Sequence, residues 1–394
     1  MTSTSEELFM AAGQVLVGGF AGREVDPHFA ELIREGRVGG AILFSRNFTD
    51  LAEARRMVAA LTSLPTPEPI LMAVDQEGGR VQRLKAPFPE LPPMRAIGQL
   101  NRKTLAQDTG ALLAMALRRI GFHQDYAPVL DVDSNPANPI IGDRSFSSDP
   151  AVVARLGAAF IDGLQSGGVA ACGKHFPGHG DTSKDSHLEL PRLDHDRERL
   201  EAVELVPFWS AARVEVAAIM TAHIVFAALD DQHPATLSEK VLEPLLRREI
   251  GFRGVIVSDD LEMKAVADHY GIEDAAVRAL RAGCDQLLIC HQPALVEQAH
   301  RAILAAVDSG ALPKSRLLEA AFRVRAMKAR YVRGVEHLAV EPERLADALP
   351  VALHEALLAE IANPRPKLAP DAGLDGIPEY EFEGDPNEVL ELDV

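Results

Sequence analysis

The stretch Val169-Ala170-Ala171-Cys172-Gly173-Lys174-His175-Phe176-Pro177-Gly178-His179-Gly180-Asp181-Thr182-Ser183-Lys184-Asp185-Ser186-His187 passes from five small apolar residues into a basic pair and then into a polar loop. A short apolar run of this kind reads as a buried strand, and Pro177, Gly178 and Gly180 then forbid helix and permit tight turns. Three histidines, two lysines and two aspartates fall within residues 174–187. Packing alone seldom uses polar groups at that density. A strand that ends in chemistry-bearing side chains is what the mouth of an α/β barrel is made of.

The same arrangement recurs along the chain. Strands are expected at residues 14–18, 40–44, 70–74, 122–132, 169–175, 217–223, 254–258 and 286–290. Amphipathic stretches at 51–61, 103–120, 151–165, 274–282 and 294–308 alternate with them, many with Gly or Pro near their ends. Eight β-α units admit a TIM-type (β/α)8 barrel or a doubly wound open sheet. Polar placement decides for the barrel: Asp75, Asp131, Lys174, His175, His223, Asp259 and His291 all fall at the C-terminal ends of expected strands. A barrel gathers all of those ends at one mouth, whereas an open sheet gathers only those at its switch point.

The expected division is a barrel over residues 1–335 and a C-terminal extension over 336–394. Residues 340–350 read as a connection and 351–362 as one helix. No basic residue follows Lys367, while Asp371, Asp375, Glu379, Glu381, Glu383, Asp385, Glu388, Glu391 and Asp393 recur. That composition reads as a solvated, disordered acidic tail.

A net charge of −18 over 394 residues argues against nucleic acid and anionic membranes as partners, because both select positive fields. Small neutral or weakly charged ligands remain. The three cysteines, Cys172, Cys284 and Cys290, form no C-x-x-C pair and read as buried reduced thiols. The start of the chain carries Glu6 and Glu7 where a secretory signal carries base, and no run reaches the roughly 18 apolar residues of a membrane span. The expectation is a cytoplasmic protein.

Within the polar loop, Asp185 and His187 stand two apart and can project to the same side. The carboxylate can then hold one imidazole nitrogen while the other meets a substrate. The loop admits three other readings. His175, His179 and His187 could bind zinc, yet no Cys or Glu lies among them at familiar ligand spacing and no HExxH occurs. Ser186 beside His187 could suggest a hydrolase triad, yet no G-x-S-x-G elbow accompanies it. The loop could also be purely structural, its histidines capping turns.

Together with Ala73-Val74-Asp75-Gln76-Glu77-Gly78-Gly79-Arg80-Val81-Gln82-Arg83 and Gly254-Val255-Ile256-Val257-Ser258-Asp259-Asp260-Leu261-Glu262-Met263, the loop resembles the β-N-acetylglucosaminidases of glycoside hydrolase family three. The three motifs occur in family order and the resemblance spans roughly residues 10 to 335. It implies a TIM-type barrel, retention through a covalent glycosyl-enzyme, no metal or organic cofactor, and N-acetylglucosaminyl-(anhydro)muramyl fragments as the substrate class. It places the nucleophile at Asp259 and the acid/base dyad at His187 and Asp185. Strand alternation alone sends Asp259 and Asp260 to opposite sides and does not choose between them, since both faces of a barrel strand are buried. Asp260 could instead cap a helix starting near Leu261.

The matching positions assign sugar binding to Asp75, Arg83, Arg144, Lys174 and His175. Asp75 can accept hydrogen bonds from hydroxyls and the basic residues can donate to them. For Arg83 and Arg144 the structural alternative is a salt bridge to a neighbouring acid. His223 and Met263 read as supporting or wall residues. Gly78-Gly79 implies no phosphate site, because no Walker or dinucleotide fingerprint accompanies it. The rival functions are phosphorolysis in the same pocket, since a histidine does not repel phosphate as a carboxylate would, and non-catalytic sugar binding.

Overall fold

Alternation along each short apolar run builds a barrel with two separate cores. The computed structural model describes residues 4–182, 190–332 and 340–363. Eight parallel strands close on themselves in chain order: β1 (Leu16–Gly18), β2 (Gly40–Leu43), β3 (Leu71–Val74), β4 (Gln124–Asp125), β5 (Ala170–Phe176), β6 (Ala218–Thr221), β7 (Val255–Asp260) and β8 (Gln286–Ile289). Leu16 pairs with Leu287 and Val17 with Gly40, so β1 joins β8 to β2 and leaves no open edge.

Val17, Ile42, Leu71, Ala73, Ala170, Cys172, Ala218, Met220, Val255, Val257 and Leu288 cluster inside the barrel. Their sequence neighbours Leu16, Ala41, Leu43, Met72, Val74, Ala171, Ile219, Ile256 and Leu287 pack outward against the helices. This is the period-2 pattern of a strand buried on both faces. Val324, Met327 and Tyr331 of the helix Lys314–Tyr331 join the inner cluster and close the end of the barrel opposite its mouth.

The helices form where their end signals stand. Asp50 accepts from Glu53 N–H and opens Leu51–Thr62. Asp149 accepts from Ala151 N–H and Pro150 occupies the first turn of Pro150–Ser166. Gly121, at φ +104°, ends Lys103–Ile120 in the left-handed region that glycine adopts without a Cβ penalty.

Every expected strand is present, several shortened: 14–18 pairs over Leu16–Gly18, with Gln14 closing the preceding helix, and 217–223 over Ala218–Thr221. The run at 122–132 pairs as a strand only over Gln124–Asp125, with a single further bridge from Val129 to Lys174. Pro128 interrupts it and has no N–H to give to the ladder. Beyond the barrel, the expected connection at 340–350 contains a short helix, Leu345–Ala348, because Leu345 and Leu349 bury against the barrel helices. The helix Val351–Ala362 follows, tied to the barrel by Arg102 on Glu360. Residues of the acidic tail lie outside the described residues. All three cysteines are buried thiols. Among the described residues no helix is long and apolar enough to cross a membrane.

One buried group makes stability depend on pH. His123 accepts Met72 N–H at Nδ1, at 3.0 Å. Burial, followed by the nearby Arg118 and Lys328 charges, pushes its pKa down to about 3. The unfolded chain protonates at about 6.5. The stability contributed by the neutral ring is therefore complete above that value and is lost as pH falls toward 3, at about 1.4 kcal/mol per pH unit for one proton. His123→Asn keeps an acceptor for Met72 and removes the titration. Urea unfolding of wild type and variant between pH 7 and 4.5 is expected to show the variant's pH slope shallower by up to one proton; identical slopes would mean that this ring is already protonated in the fold.

Candidate active site

The strand periodicity that fills the barrel also aims its last residues at the mouth. Counting by twos from the inner residues Ile42, Ala73, Cys172 and Val257 gives Phe44, Asp75, Lys174 and Asp259. All four line one cleft of about 510 Å³, together with Glu77, Arg83, Arg144, His175, His179, Met220, Asp260, Glu262, Met263, Lys264 and His291. That volume suits a small-molecule ligand.

The floor is an alternating chain of charges. Arg144 grips Glu77 with two hydrogen bonds, Nε to Oε2 at 2.9 Å and Nη2 to Oε1 at 2.8 Å. Lys174 Nζ lies 2.6 Å from Glu77 Oε1 and 2.8 Å from Asp75 Oδ1. Arg83 Nη2 lies 3.4 Å from Asp75 Oδ2. Burial alone would raise the Glu77 pKa, yet Arg144 and Lys174 hold it well below the usual carboxylate range. For Lys174, burial works to lower the pKa and is outweighed by Asp75 and Glu77, so the ammonium is held charged. Buried charges persist in this way when each has an opposite neighbour.

The salt bridges considered as alternatives for Arg83 and Arg144 therefore exist, and both residues line the cleft as well. Pairing and ligand contact are not exclusive here, because the ion chain fixes where the remaining N–H and lone pairs point. Behind the floor, burial pushes the Asp125 carboxyl well above its ordinary range, against the Gln76 N–H that it accepts at 2.9 Å.

His175 is held from behind. Its Nδ1 sits 2.7 Å from Asp131 Oδ2, and the other Asp131 oxygen accepts the backbone N–H groups of His175 and His179. Burial would raise the Asp131 pKa, but the charge of and hydrogen bond from His175, with His179, keep it lowered. A carboxylate on Nδ1 leaves Nε2 as the cleft-facing atom. His179 accepts or donates with Thr182 Oγ1 at 2.8 Å, and burial with the His175 charge lowers its pKa to about 4.

At the end of β7 both aspartates line the cleft, which corrects the expectation that only one can face it. A bulge explains the difference: between Val257 and Asp260 the register advances three residues against two on β8, so alternation breaks there. Asp260 does not cap a helix either. The helix begins at Lys264, and Asp260 Oδ1 instead accepts from Glu262 N–H at 3.1 Å and Cys290 N–H at 3.2 Å. His223 stands behind the cleft, with Nδ1 at 2.8 Å from Thr236 Oγ1 and Nε2 at 3.0 Å from the Asp260 carbonyl, while Met263 forms wall. His187 and Asp185 lie outside the described residues.

Sequence reasoning did not single out Glu77 or Phe44. The signal for Glu77 was available: it stands two residues after Asp75 in an extended hairpin, Gln76–Gly78 with Val81–Gln82, and so shares its face. Phe44 carries the Arg46 guanidinium 4.3 Å and the Arg83 guanidinium 5.3 Å from its ring centre and stacks on His291 at 6.0 Å. The cleft thus offers carboxylates, fixed cations and an aromatic wall, a combination suited to a polyhydroxylated ring.

Comparison with known proteins bears on that ligand class. Residues 9–327 match the model of the glycosyl hydrolase family 3 N terminal domain. A β-hexosaminidase of Neisseria meningitidis serogroup C is 44% identical over 268 residues, covering 66% of this chain and 73% of the relative. The structure of a family 3 β-N-acetylglucosaminidase from Paenibacillus sp. superposes with a TM-score of 0.80 at 37% identity, covering 89% of this chain and 69% of the other. NagZ from Neisseria gonorrhoeae in complex with N-trifluoroacetyl-D-glucosamine superposes with a TM-score of 0.71 at 36% identity, covering 87% of this chain and 98% of the other.

Proposed function

The chain belongs to glycoside hydrolase family 3, and from that premise we propose that it is an exo-acting, retaining β-N-acetylglucosaminidase. The observation that carries this reading is the meeting, at one barrel mouth, of Asp259 with the Asp75–Lys174–Glu77–Arg144 ion chain and His175. Asp75, Arg83, Arg144, Lys174 and His175 bind the terminal sugar, with Asp75 accepting and the cations donating. Asp259 attacks the anomeric carbon and forms the glycosyl-enzyme. His187, oriented by Asp185, protonates the departing oxygen and then takes a proton from the water that releases the sugar.

The choice of Asp259 over its neighbour is supported by the partners of Asp260. One Asp260 oxygen accepts two backbone N–H groups and the other faces His291 Nδ1 at 3.2 Å, which leaves that carboxylate poorly placed to attack. The gonococcal relative's complex with an N-acylated glucosamine supports a 2-acylamido sugar as ligand. The aglycone class, muramyl-type fragments of peptidoglycan, rests on the family resemblance. In this reading residues 1–335 are the catalytic barrel and 336–394 an extension not needed for chemistry.

The deciding assay compares aryl β-N-acetylglucosaminide with aryl β-glucoside, each with and without phosphate. Turnover of the first alone, with free sugar as product, is expected. Acceleration by phosphate with sugar phosphate as product would replace hydrolysis by phosphorolysis. No turnover of either would leave a sugar-binding protein.

A further inference from the structure

At the lip of the cleft three side chains with metal-ligating atoms converge apart from the ion chain: Asp260 and Glu262 at the end of β7, and His291 after β8. We propose that they form a binding site for one divalent transition cation of the zinc class, with Asp260 Oδ2, Glu262 Oε2 and His291 Nδ1 as ligands.

The spacing is the first argument. His291 Nδ1 stands 3.2 Å from Asp260 Oδ2 and 3.6 Å from Glu262 Oε2, and all three atoms lie within 4.8 Å of one another. An ion that holds nitrogen and oxygen at about 2.0–2.2 Å in a tetrahedron requires its ligands to stand roughly 3.3–3.6 Å apart. One edge, at 3.6 Å, already has that length, and a second, at 3.2 Å, falls just short of it. The third lies within 4.8 Å and closes by a small turn of the Glu262 carboxylate, in which Oε2 gives up its hydrogen bond from the His291 N–H for the ion.

Preorganisation is the second. Asp260 Oδ1 is fixed by the N–H groups of Glu262 and Cys290, which turns Oδ2 toward the imidazole. Glu262 is held by the His291 N–H and by Gln292 Nε2. The His291 ring is stacked on Phe44, itself backed by Arg46. An imidazole and two carboxylates fixed by outer hydrogen bonds are the donors that suit zinc and its neighbours, and outer contacts of this kind set ligand orientation.

Access is the third. The His291 side chain is 53% exposed and all three residues line the cleft, so an ion can enter from solvent and its remaining coordination position opens to the cavity. Only an unprotonated Nδ1 can ligate, so the ion displaces any proton there into solvent. A bound cation would stand next in sequence to Asp259 and narrow the space available to the sugar. Among the described residues, neither His175 nor His179, which the sequence offers as zinc ligands, belongs to this cluster.

The test uses the full chain freed of metal and titrated with Co²⁺ and Zn²⁺ alone. Binding of one equivalent is expected, with the intense visible bands of four-coordinate Co²⁺ and displacement of Co²⁺ by Zn²⁺. His291→Ala and Glu262→Gln should each weaken Zn²⁺ binding by at least about tenfold. Circular dichroism and thermal midpoint confirm that each variant is folded. Asp185→Asn and His187→Ala should leave the Co²⁺ spectrum unchanged, which separates this site from the polar loop. Undiminished affinity in both His291→Ala and Glu262→Gln, loss of the spectrum in the loop variants, or no binding by the wild type at submillimolar metal would each overturn the assignment. None of these outcomes depends on which sugar the enzyme cleaves.

Discussion

Asp259→Ala is expected to lower turnover of an aryl β-N-acetylglucosaminide by roughly 10⁴-fold or more, the scale on which loss of a nucleophile is felt. The fold should survive. Asp259 sits at the lip of β7 and fills no part of the inner or outer core, so the change in stability should stay within about 1 kcal/mol. Small azide ions should restore turnover by attacking the face that the missing carboxylate leaves open, giving a glycosyl azide of inverted configuration. A slow fluorinated substrate should label Asp259 in the wild type. Labelling of Asp260, or a greater loss in Asp260→Asn than in Asp259→Ala, would move the nucleophile to the neighbouring carboxylate.

The distinction between those two aspartates shows what the sequence could and could not reveal. The barrel was legible because short apolar runs recur eight times and polar residues stand at the C-terminal ends of six of them, and each repetition constrains the others. Which residue of a doubly buried strand faces inward was not legible, because Val255, Ile256 and Val257 are all buried and all apolar. Closure of the sheet supplies the missing phase: once Val255 and Val257 are inside, Asp259 follows them to the mouth. The bulge that brings Asp260 to the same cleft depends on pairing with β8, some thirty residues on, and leaves no local mark.

The sugar-binding residues were legible one at a time and their linkage was not. Asp75, Lys174 and Arg144 stand on three separate strands or loops, and Glu77, which joins them, has no feature of its own beyond its spacing from Asp75. Asp131 was visible as a polar strand end, but its task of holding His175 from behind requires β4 and β5 to be neighbours. Long-range contacts of this kind belong to topology and not to the motifs that topology brings together.

Replacing His187 should cost activity in proportion to the help the leaving group needs. A positioned acid/base contributes typically 10²–10⁴-fold, or about 3 to 5 kcal/mol of barrier. A sugar alcohol cannot depart without a proton, whereas a good aryl leaving group can. His187→Ala should therefore be severely impaired on a disaccharide of N-acetylglucosamine, while glycosylation by an activated aryl glycoside is much less affected. Deglycosylation then becomes limiting, since water has lost its base, and a pre-steady-state burst of the aryl alcohol should appear. Azide, which needs no base, should accelerate that second step and give a glycosyl azide of retained configuration, the opposite stereochemistry to that expected for Asp259→Ala. Asp185→Asn should give a milder form of the same pattern, because an amide orients the imidazole without stabilising its protonated form. Rate losses for His187→Ala that do not vary with leaving-group pKa, with no burst and no rescue, would remove this histidine from proton transfer. The acid would then be sought among the groups that line the cleft, where His175 and His179 stand nearest in sequence.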